Sequence, residues 1–333
     1  MTALTLTCIG RQQNTHDVVS WQLAPVAGRL PPVLAGQCIT LHTEIDGQPE
    51  CRAYTLSSSP QDACWQVTIK EVGRVSRHLH QTLQVGDQIR ADGPFGDFNL
   101  TALPCERPLL LSAGSGITPM WAMLRDELAK RPDANIRFIH SARSPADVIF
   151  ADELTALAEA HPGVRHALVL EKVLEQAPSD HPWVGRLTPA MLTELAPDLH
   201  ERHVYLCGPT SYMAAVSTML AELGLPPEQL HQESFGPPPA EPVVTTSDHF
   251  WLTLKKSGKK VKILPGQTLL AALEAAGETM VAACRAGVCG SCRCSTEGDI
   301  ERQSVMTLSP QDLASGVALA CSCTAQGDIN LDY

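Results

Sequence analysis

Short runs of strand-forming residues, separated by turn-forming residues, fill the first hundred positions of the chain: 21–25, 37–45, 52–58, 65–72 and 87–92. This spacing predicts an antiparallel barrel or sandwich over residues 1–103, closed by the turn cluster Gly93-Pro94-Phe95-Gly96. From residue 104 the pattern changes. Apolar runs at 107–114, 135–142, 164–172 and 203–208 alternate with helical patterns over 119–130, 147–160, after Thr188 and over 211–223. Alternation of this kind predicts a parallel sheet with helices on its faces over 104–235. The proline-rich run beginning at Gly236 continues neither a helix nor a central strand, so 236–249 reads as a semi-rigid linker. Residues 250–333 then open with two strands around Ser257-Gly258, followed by a short helix over 268–277.

The 333 residues are enough for two or three domains with separate cores. No window approaches the run of about 18 apolar residues that spans a bilayer. The N-terminus lacks the pattern of a signal peptide, so a cytoplasmic protein that does not enter membranes is expected. The net charge of −11 is uneven: residues 104–249 hold 19 acids against 10 bases. Such a chain is poorly suited to neutralising nucleic-acid phosphates. The one basic cluster, Lys255, Lys256, Lys259, Lys260 and Lys262, surrounds a turn and reads as a solvated hairpin.

The cysteines sharpen the picture. Six of the twelve are scattered, and six crowd between Cys284 and Cys323. Cys284, Cys289 and Cys292 follow the spacing C-x4-C-x2-C, with Cys321 further on. That is the ligand spacing of a plant-type [2Fe–2S] cluster. The small residues between them let backbone wrap the sulfurs and aim N–H groups at them. A structural zinc site usually shows two paired C-x2-4-C elements, which the four-residue gap fits poorly. Cys321 is the expected fourth ligand because it ends an apolar run; Cys323 is the alternative, and Cys294 reads as a packed small hydrophobe.

Further stretches carry chemistry. Arg52-Ala53-Tyr54-Thr55 offers a guanidinium fork for a pyrophosphate, a flat ring and a hydroxyl. It resembles the R-x-Y-[ST] flavin motif of the ferredoxin–NADP reductase superfamily. The following segment, Ile69 and Lys70 to Gly73, Val75 and Ser76, resembles that superfamily's G-x-x-S element, with Ser76 expected as the N-cap of a helix whose free N–H groups face a phosphate. Gly114-Ser115-Gly116-Ile117-Thr118-Pro119 lies between an apolar strand and a helix, where glycines admit a nucleotide pyrophosphate. Its G-x-G-x-x-P form is similar to the superfamily's nucleotide loop. Cys207-Gly208-Pro209 and Glu233-Ser234-Phe235 resemble its remaining two elements, which would set Cys207 beside the nicotinamide and Phe235 near the flavin.

The chain as a whole resembles the reductases of this superfamily that carry a C-terminal ferredoxin domain, a class including the reductase components of Rieske oxygenases and the NADH reductase of the hybrid cluster protein. The resemblance implies a flavin-binding β-barrel, a nicotinamide-binding α/β domain and a β-grasp ferredoxin domain. It implies FAD, NADH and a [2Fe–2S] cluster, with hydride transfer flanked by Thr55 and Cys207. Single electrons would then leave through the cluster to a protein acceptor. Segments around Arg143, Gly185 and Ala283 favour the hybrid cluster protein as acceptor, with a Rieske-type oxygenase or demethylase as the alternative. A monomer is expected. A non-enzymatic redox carrier or sensor is the third reading.

Overall fold

The computed structural model describes residues 3–172, 182–235, 249–285, 287, 289–304 and 307–333. The expected linker falls almost wholly on 236–248, outside the described residues. Met1–Ile39 with Tyr54–Ser234 forms one compact unit, and Thr40–Ala53 with Phe235–Tyr333 a second.

The N-terminal sheet is built from β1 (Ala3–Thr15), β2 (Val18–Pro25), β3 (Cys38–Ile45), β4 (Gln48–Thr55), β5 (Trp65–Lys70) and β6 (Gln88–Phe95), in the order β4-β3-β6-β1-β2-β5. Strand β1 pairs antiparallel with both β2 and β6. It is absent from the sequence-based strand set because its pairing slips between Cys8 and Gly10, so its inward residues fall out of strict alternation. Trp21 is fully buried, and its indole N–H donates to Leu83 O at 3.1 Å. Between β5 and β6 lies helix α1 (Arg74–Thr82). Its N-cap is Gly73, not Ser76 as expected. Ser76 sits three positions in, where its Oγ accepts from Gly73 N at 2.8 Å and Val72 N at 3.0 Å. The start of the helix is thus tied down by a side chain within its first turn.

The parallel sheet comprises β7 (Pro108–Ala113), β8 (Ile136–Ala142), β9 (Val164–Leu170), β10 (His203–Cys207) and β11 (Leu230–Glu233), ordered β11-β10-β7-β8-β9. Its helices are α2 (Ile117–Lys130), α3 (Ala151–Ala160), α4 (Pro189–Leu195) and α5 (Thr210–Glu222). Helix α2 starts two residues before the expected Pro119, which the first turn tolerates because backbone N–H groups there have no intrahelical partner and the one that proline lacks is not missed. Helix α3 starts at Ala151, not 147, because Pro145–Asp147 forms a separate 3-10 turn. Strand β11 is short and polar, which hid it from the pattern. At the base of the sheet the fully buried Arg202 bonds Asp198 Oδ2 at 2.7 Å and Asn135 Oδ1 at 2.7 Å. Arg137 reaches the same Asp198 at 2.9 Å.

The C-terminal region has a mixed sheet. It is formed by β12 (Phe250–Leu254), β13 (Lys260–Ile263), β14 (Arg293–Glu297), β16 (Val317–Leu319) and β18 (Ile329–Asp332), ordered β13-β12-β18-β14-β16. Strands β12 and β18 run parallel, and the other pairs are antiparallel. The pair β15 (Ile300–Arg302) and β17 (Cys323–Ala325) forms a second, small sheet. Helix α6 (Leu269–Ala275) packs its leucines into the core, and α7 (Pro310–Ala314) is a single capped turn. This is a β-grasp arrangement. Three hairpin lysines are ion-paired: Lys255 to Glu297, Lys256 to Asp332 and Lys259 to Glu278. No helix among the described residues is long and apolar enough to cross a membrane.

Candidate functional site

The crowded cysteines converge. Cys292 closes the loop that leads into β14, and Cys321 lies in the 3-10 turn Ala320–Ser322 after β16. Their sulfurs stand 3.2 Å apart, and the N–H of Gly287 points at Cys321 Sγ from 3.2 Å. Cys289 Sγ lies 3.1 Å from Ser291 Oγ, which also accepts from Ala283 N at 2.7 Å. Hydrogen bonding with the Cys284 thiol, then with Cys292, pushes the Cys321 thiol up; Cys284 and burial do the same to Cys289. Cys292 moves the other way, chiefly through its side-chain hydrogen bond with Cys321. Four thiols this close cannot all ionise unless a cation joins them, so the donor set fits a metal–sulfur group. Gly287 has φ +75°, and a methyl there would meet Ser322 Oγ and Ser304 Cβ at 2.7 Å, so the loop lies tight against its neighbours.

Cys294 and Cys323 stand apart from that set. Cys294 is buried on β14 with its thiol toward Ala318 O at 3.6 Å, and burial pushes it up to about 12. Cys323 begins β17, fully buried, and is also raised by burial.

At the carboxyl end of the parallel sheet, the register aligns Glu233, Cys207, Ser112 and His140 on β11, β10, β7 and β8. Partners in a parallel ladder share a face, so these four lie in one row across the sheet. Ser112 Oγ lies 2.9 Å from His140 Nδ1, and His140 is fully buried with its basicity lowered to about 4 by that burial. Burial, then the charge of Glu233, raises the Cys207 thiol well above its usual range, so Cys207 is a neutral thiol. Gly114 (φ +52°) and Gly116 form a 3-10 turn over this end of the sheet. Thr118 donates back to Ser115 O at 3.0 Å, and Pro119 lies in the first turn of α2. Gly208 is packed against Tyr212, whose Cδ1 lies 2.8 Å from an added methyl, and Pro209 is the N-cap of α5.

Three family patterns match in chain order. An oxidoreductase FAD-binding domain matches residues 13–100, an oxidoreductase NAD-binding domain residues 110–218, and a 2Fe-2S iron–sulfur cluster binding domain residues 252–326. The glycine betaine monooxygenase reductase subunit of Chromohalobacter salexigens is 35% identical, covering 94% of this chain and 90% of that protein. The NADH oxidoreductase HCR of Escherichia coli is 34% identical, covering 92% and 90%.

The chain belongs to the ferredoxin–NADP reductase-type oxidoreductases with a C-terminal [2Fe–2S] domain.

Solved structures agree on the fold of this reductase. An intact type IV self-sufficient cytochrome P450 monooxygenase matches with TM-score 0.70 at 27% identity, over 99% of this chain and 40% of that one. Phthalate dioxygenase reductase matches in fold with TM-score 0.62 at 24% identity, over 99% and 98%. The expected oxidoreductase class, its FAD- and NAD-binding domains and its cluster domain are therefore present.

Within this reductase the flavin-motif residues take varied positions. Thr55 ends β4 with 5% exposure, and Ile69 and Val75 are also buried. Ala53 and Tyr54 are half-buried on the same strand. Arg52 donates to its own neighbour's carbonyl, Cys51 O, at 2.7 Å and lies 3.8 Å from Glu50. Lys70 is paired with Asp17 at 3.4 Å. The Ser76 hydroxyl is occupied by the cap described above, and α1 has no acidic side chain in its first turn. Phe235 is exposed at 44%. Sequence reading did not single out Ser112, His140 or Asp17. The available signal was a polar residue inside each apolar parallel strand, Ser112 in LLLSA and His140 in FIHSA.

Proposed function

We propose that this chain takes hydride from NADH onto FAD and delivers single electrons through its own [2Fe–2S] cluster to an oxygenase partner of the monooxygenase or demethylase type. The domain division behind this reading is a flavin barrel over 1–103, a nucleotide domain over 104–235, a linker over 236–249 and a ferredoxin domain over 250–333. The observation that carries the electron path is the convergence of Cys284, Cys289, Cys292 and Cys321 in a chain that also has flavin and nucleotide domains.

A nicotinamide supplies two electrons, a [2Fe–2S] cluster accepts one, and a flavin mediates between them. The residues proposed to hold the groups are those of the motifs. Arg52, Ala53, Tyr54, Thr55, Ile69, Lys70, Gly73, Val75 and Ser76 would hold FAD, with the N-terminus of α1 facing its phosphates. Gly114, Gly116, Thr118, Pro119, Gly208 and Pro209 would hold the nucleotide, and Phe235 would cover the flavin. Cys207 is neutral and buried, so it offers a soft, uncharged wall beside a nicotinamide, not a nucleophile. Thr55 supplies a buried hydroxyl at the end of β4. Cys284, Cys289, Cys292 and Cys321 would ligate the irons.

Support for an oxygenase partner comes from the relatives. Besides the glycine betaine monooxygenase subunit, the stachydrine N-demethylase reductase subunit Stc4 of Rhizobium meliloti is 32% identical over 94% of this chain and 92% of that protein. The hybrid cluster protein, which the sequence segments favoured, is the competing acceptor. Two assays test the proposal. Full-length Cys321→Ser should keep NADH-dependent ferricyanide reduction and lose cytochrome c reduction; retention of both sinks the cluster as exit. Purified hybrid cluster protein and an oxygenase component, offered separately to the reduced protein, decide the acceptor by which one is reduced as the protein is reoxidised.

A further inference from the structure

Arg143 is the first residue beyond β8, the second strand in sequence of the parallel sheet. At this end of such a strand an acid reads a ribose 2′-hydroxyl, whereas an arginine accepts a 2′-phosphate. Arg143 is therefore the cation placed to welcome NADPH. It is already engaged. Its Nη2 lies 2.5 Å from Asp147 Oδ1 and 3.5 Å from Asp17 Oδ2. Asp147 also accepts from Ser144 Oγ at 2.6 Å. Asp17, from the turn between β1 and β2, accepts from Thr15 Oγ1 at 3.0 Å and pairs with Lys70 Nζ at 3.4 Å. His16 bridges the two acids, with Nε2 3.6 Å from Asp17 and Nδ1 3.9 Å from Asp147.

The side chains of Asp17 and Asp147 are 20% and 15% exposed, against 56% for Arg143, so an exposed guanidinium lies against two largely buried carboxylates. Burial opposes the charge of both acids, yet hydrogen bonds from Thr15 to Asp17 and from Ser144 and Arg143 to Asp147, with the cations nearby, hold both below the usual carboxylate range. Two carboxylates balance Arg143 and Lys70, so no surplus positive charge is left for a phosphate dianion. The ligand atoms of His16, Asp17 and Asp147 also lie within 4.8 Å of one another, but Lys70 and Arg143 already supply their cations.

We infer that Asp147 and Asp17 are specificity-determining residues: they hold Arg143 against the β1–β2 turn and thereby exclude the 2′-phosphate of NADPH. This rests on the reading of NADH as the reductant. It places part of the coenzyme choice in the N-terminal sheet, whose Asp17 is 126 positions away from Arg143 in sequence.

The test uses the flavin-loaded, full-length protein. With ferricyanide as acceptor, the ratio of kcat/KM for NADPH to that for NADH is measured for the wild type, Asp147→Asn, Asp17→Asn and the double variant Asp147→Asn/Arg143→Gln. Calorimetric titration with 2′,5′-ADP and with 5′-ADP gives a readout independent of turnover. Asp147→Asn should raise the ratio about tenfold, the scale of one hydrogen bond to a charged group, and tighten 2′,5′-ADP but not 5′-ADP. Asp17→Asn should act in the same direction, and the double variant should lose the gain. Should Asp147→Asn purify without flavin, Asp17→Asn and its 2′,5′-ADP titration decide the question. An unmoved ratio and unmoved 2′,5′-ADP affinity overturn the clamp. A wild type that prefers NADPH overturns the NADH reading itself.

Discussion

Gly116 lies so close beneath Cys207 that a methyl group added to it would fall 2.2 Å from the Cys207 carbonyl oxygen. The proposed nucleotide turn and the proposed nicotinamide-side cysteine are thus one packed unit, joined backbone to backbone. Gly116→Ala must push the turn away from β10, at a cost of about 1–3 kcal/mol of overpacking. The variant should keep its flavin and melt at a lower temperature, with a raised KM for NADH. An unchanged KM would separate this turn from nucleotide binding.

The six clustered thiols divide by position. Replacing Cys284, Cys289, Cys292 or Cys321 with Ser should remove the iron and the broad visible absorption that accompanies it, while flavin absorption persists. Cys294→Ser and Cys323→Ser should retain about two irons per chain, because neither thiol joins the converging set. Iron and acid-labile sulfide assays on the six purified variants decide the ligand set. Loss of iron from Cys323→Ser with retention in Cys321→Ser would reverse the assignment.

The burial of His140 predicts an acid-sensitive protein. Its ordinary value of 6.5 is lowered to about 4 by burial. The unfolded chain therefore binds a proton first as pH falls. The stability due to a neutral His140 is full above pH 6.5 and is lost as pH drops toward 4. The loss is on the order of 3 kcal/mol. Urea unfolding midpoints between those limits should fall for the wild type and fall less for His140→Gln. Parallel slopes would show that another group governs the acid response.

Arg202 offers a stability test remote from any proposed site. Its guanidinium is fully buried against Asp198, Asn135 and the carbonyl of Pro108. Hydrogen bonds from Arg202, together with the charge of Arg137, hold Asp198 well below the usual carboxylate range. Arg202→Met keeps much of the volume but strips the carboxylate and the Asn135 amide oxygen of a donor, costing about 3–5 kcal/mol. A thermal melt should register this, with ferricyanide activity per folded, flavin-loaded molecule little changed. A melt equal to that of the wild type would show that Arg137 alone satisfies Asp198.

Much of the architecture was legible in the chain because its signals are local. The switch from strand runs to strand–helix alternation near residue 104 reports a change of sheet type. The C-x4-C-x2-C spacing reports a loop that must wrap a metal–sulfur group, whatever surrounds it. Where local signals were weak, the elements were hidden: the pairing slip in β1 broke its alternation, and polar β11 showed none. Ser76 illustrates a subtler limit. A serine ahead of a helical pattern marks a helix start, but only the fold showed that Gly73 is the cap and that the hydroxyl of Ser76 turns back to it.

By itself, the sequence determined the order of the three kinds of fold and the chemical inventory of thiols, glycine turns and a flavin-type strand, because composition and spacing constrain backbone geometry residue by residue. The tertiary structure alone decided which groups meet. The register of four parallel strands set Glu233, Cys207, Ser112 and His140 in one row. The turn between β1 and β2 brought Asp17 to Lys70 and Arg143, making both of them its ion-pair partners. Charges attract over distances that the chain's linear order does not record, so the availability of an arginine or a lysine is a property of the fold.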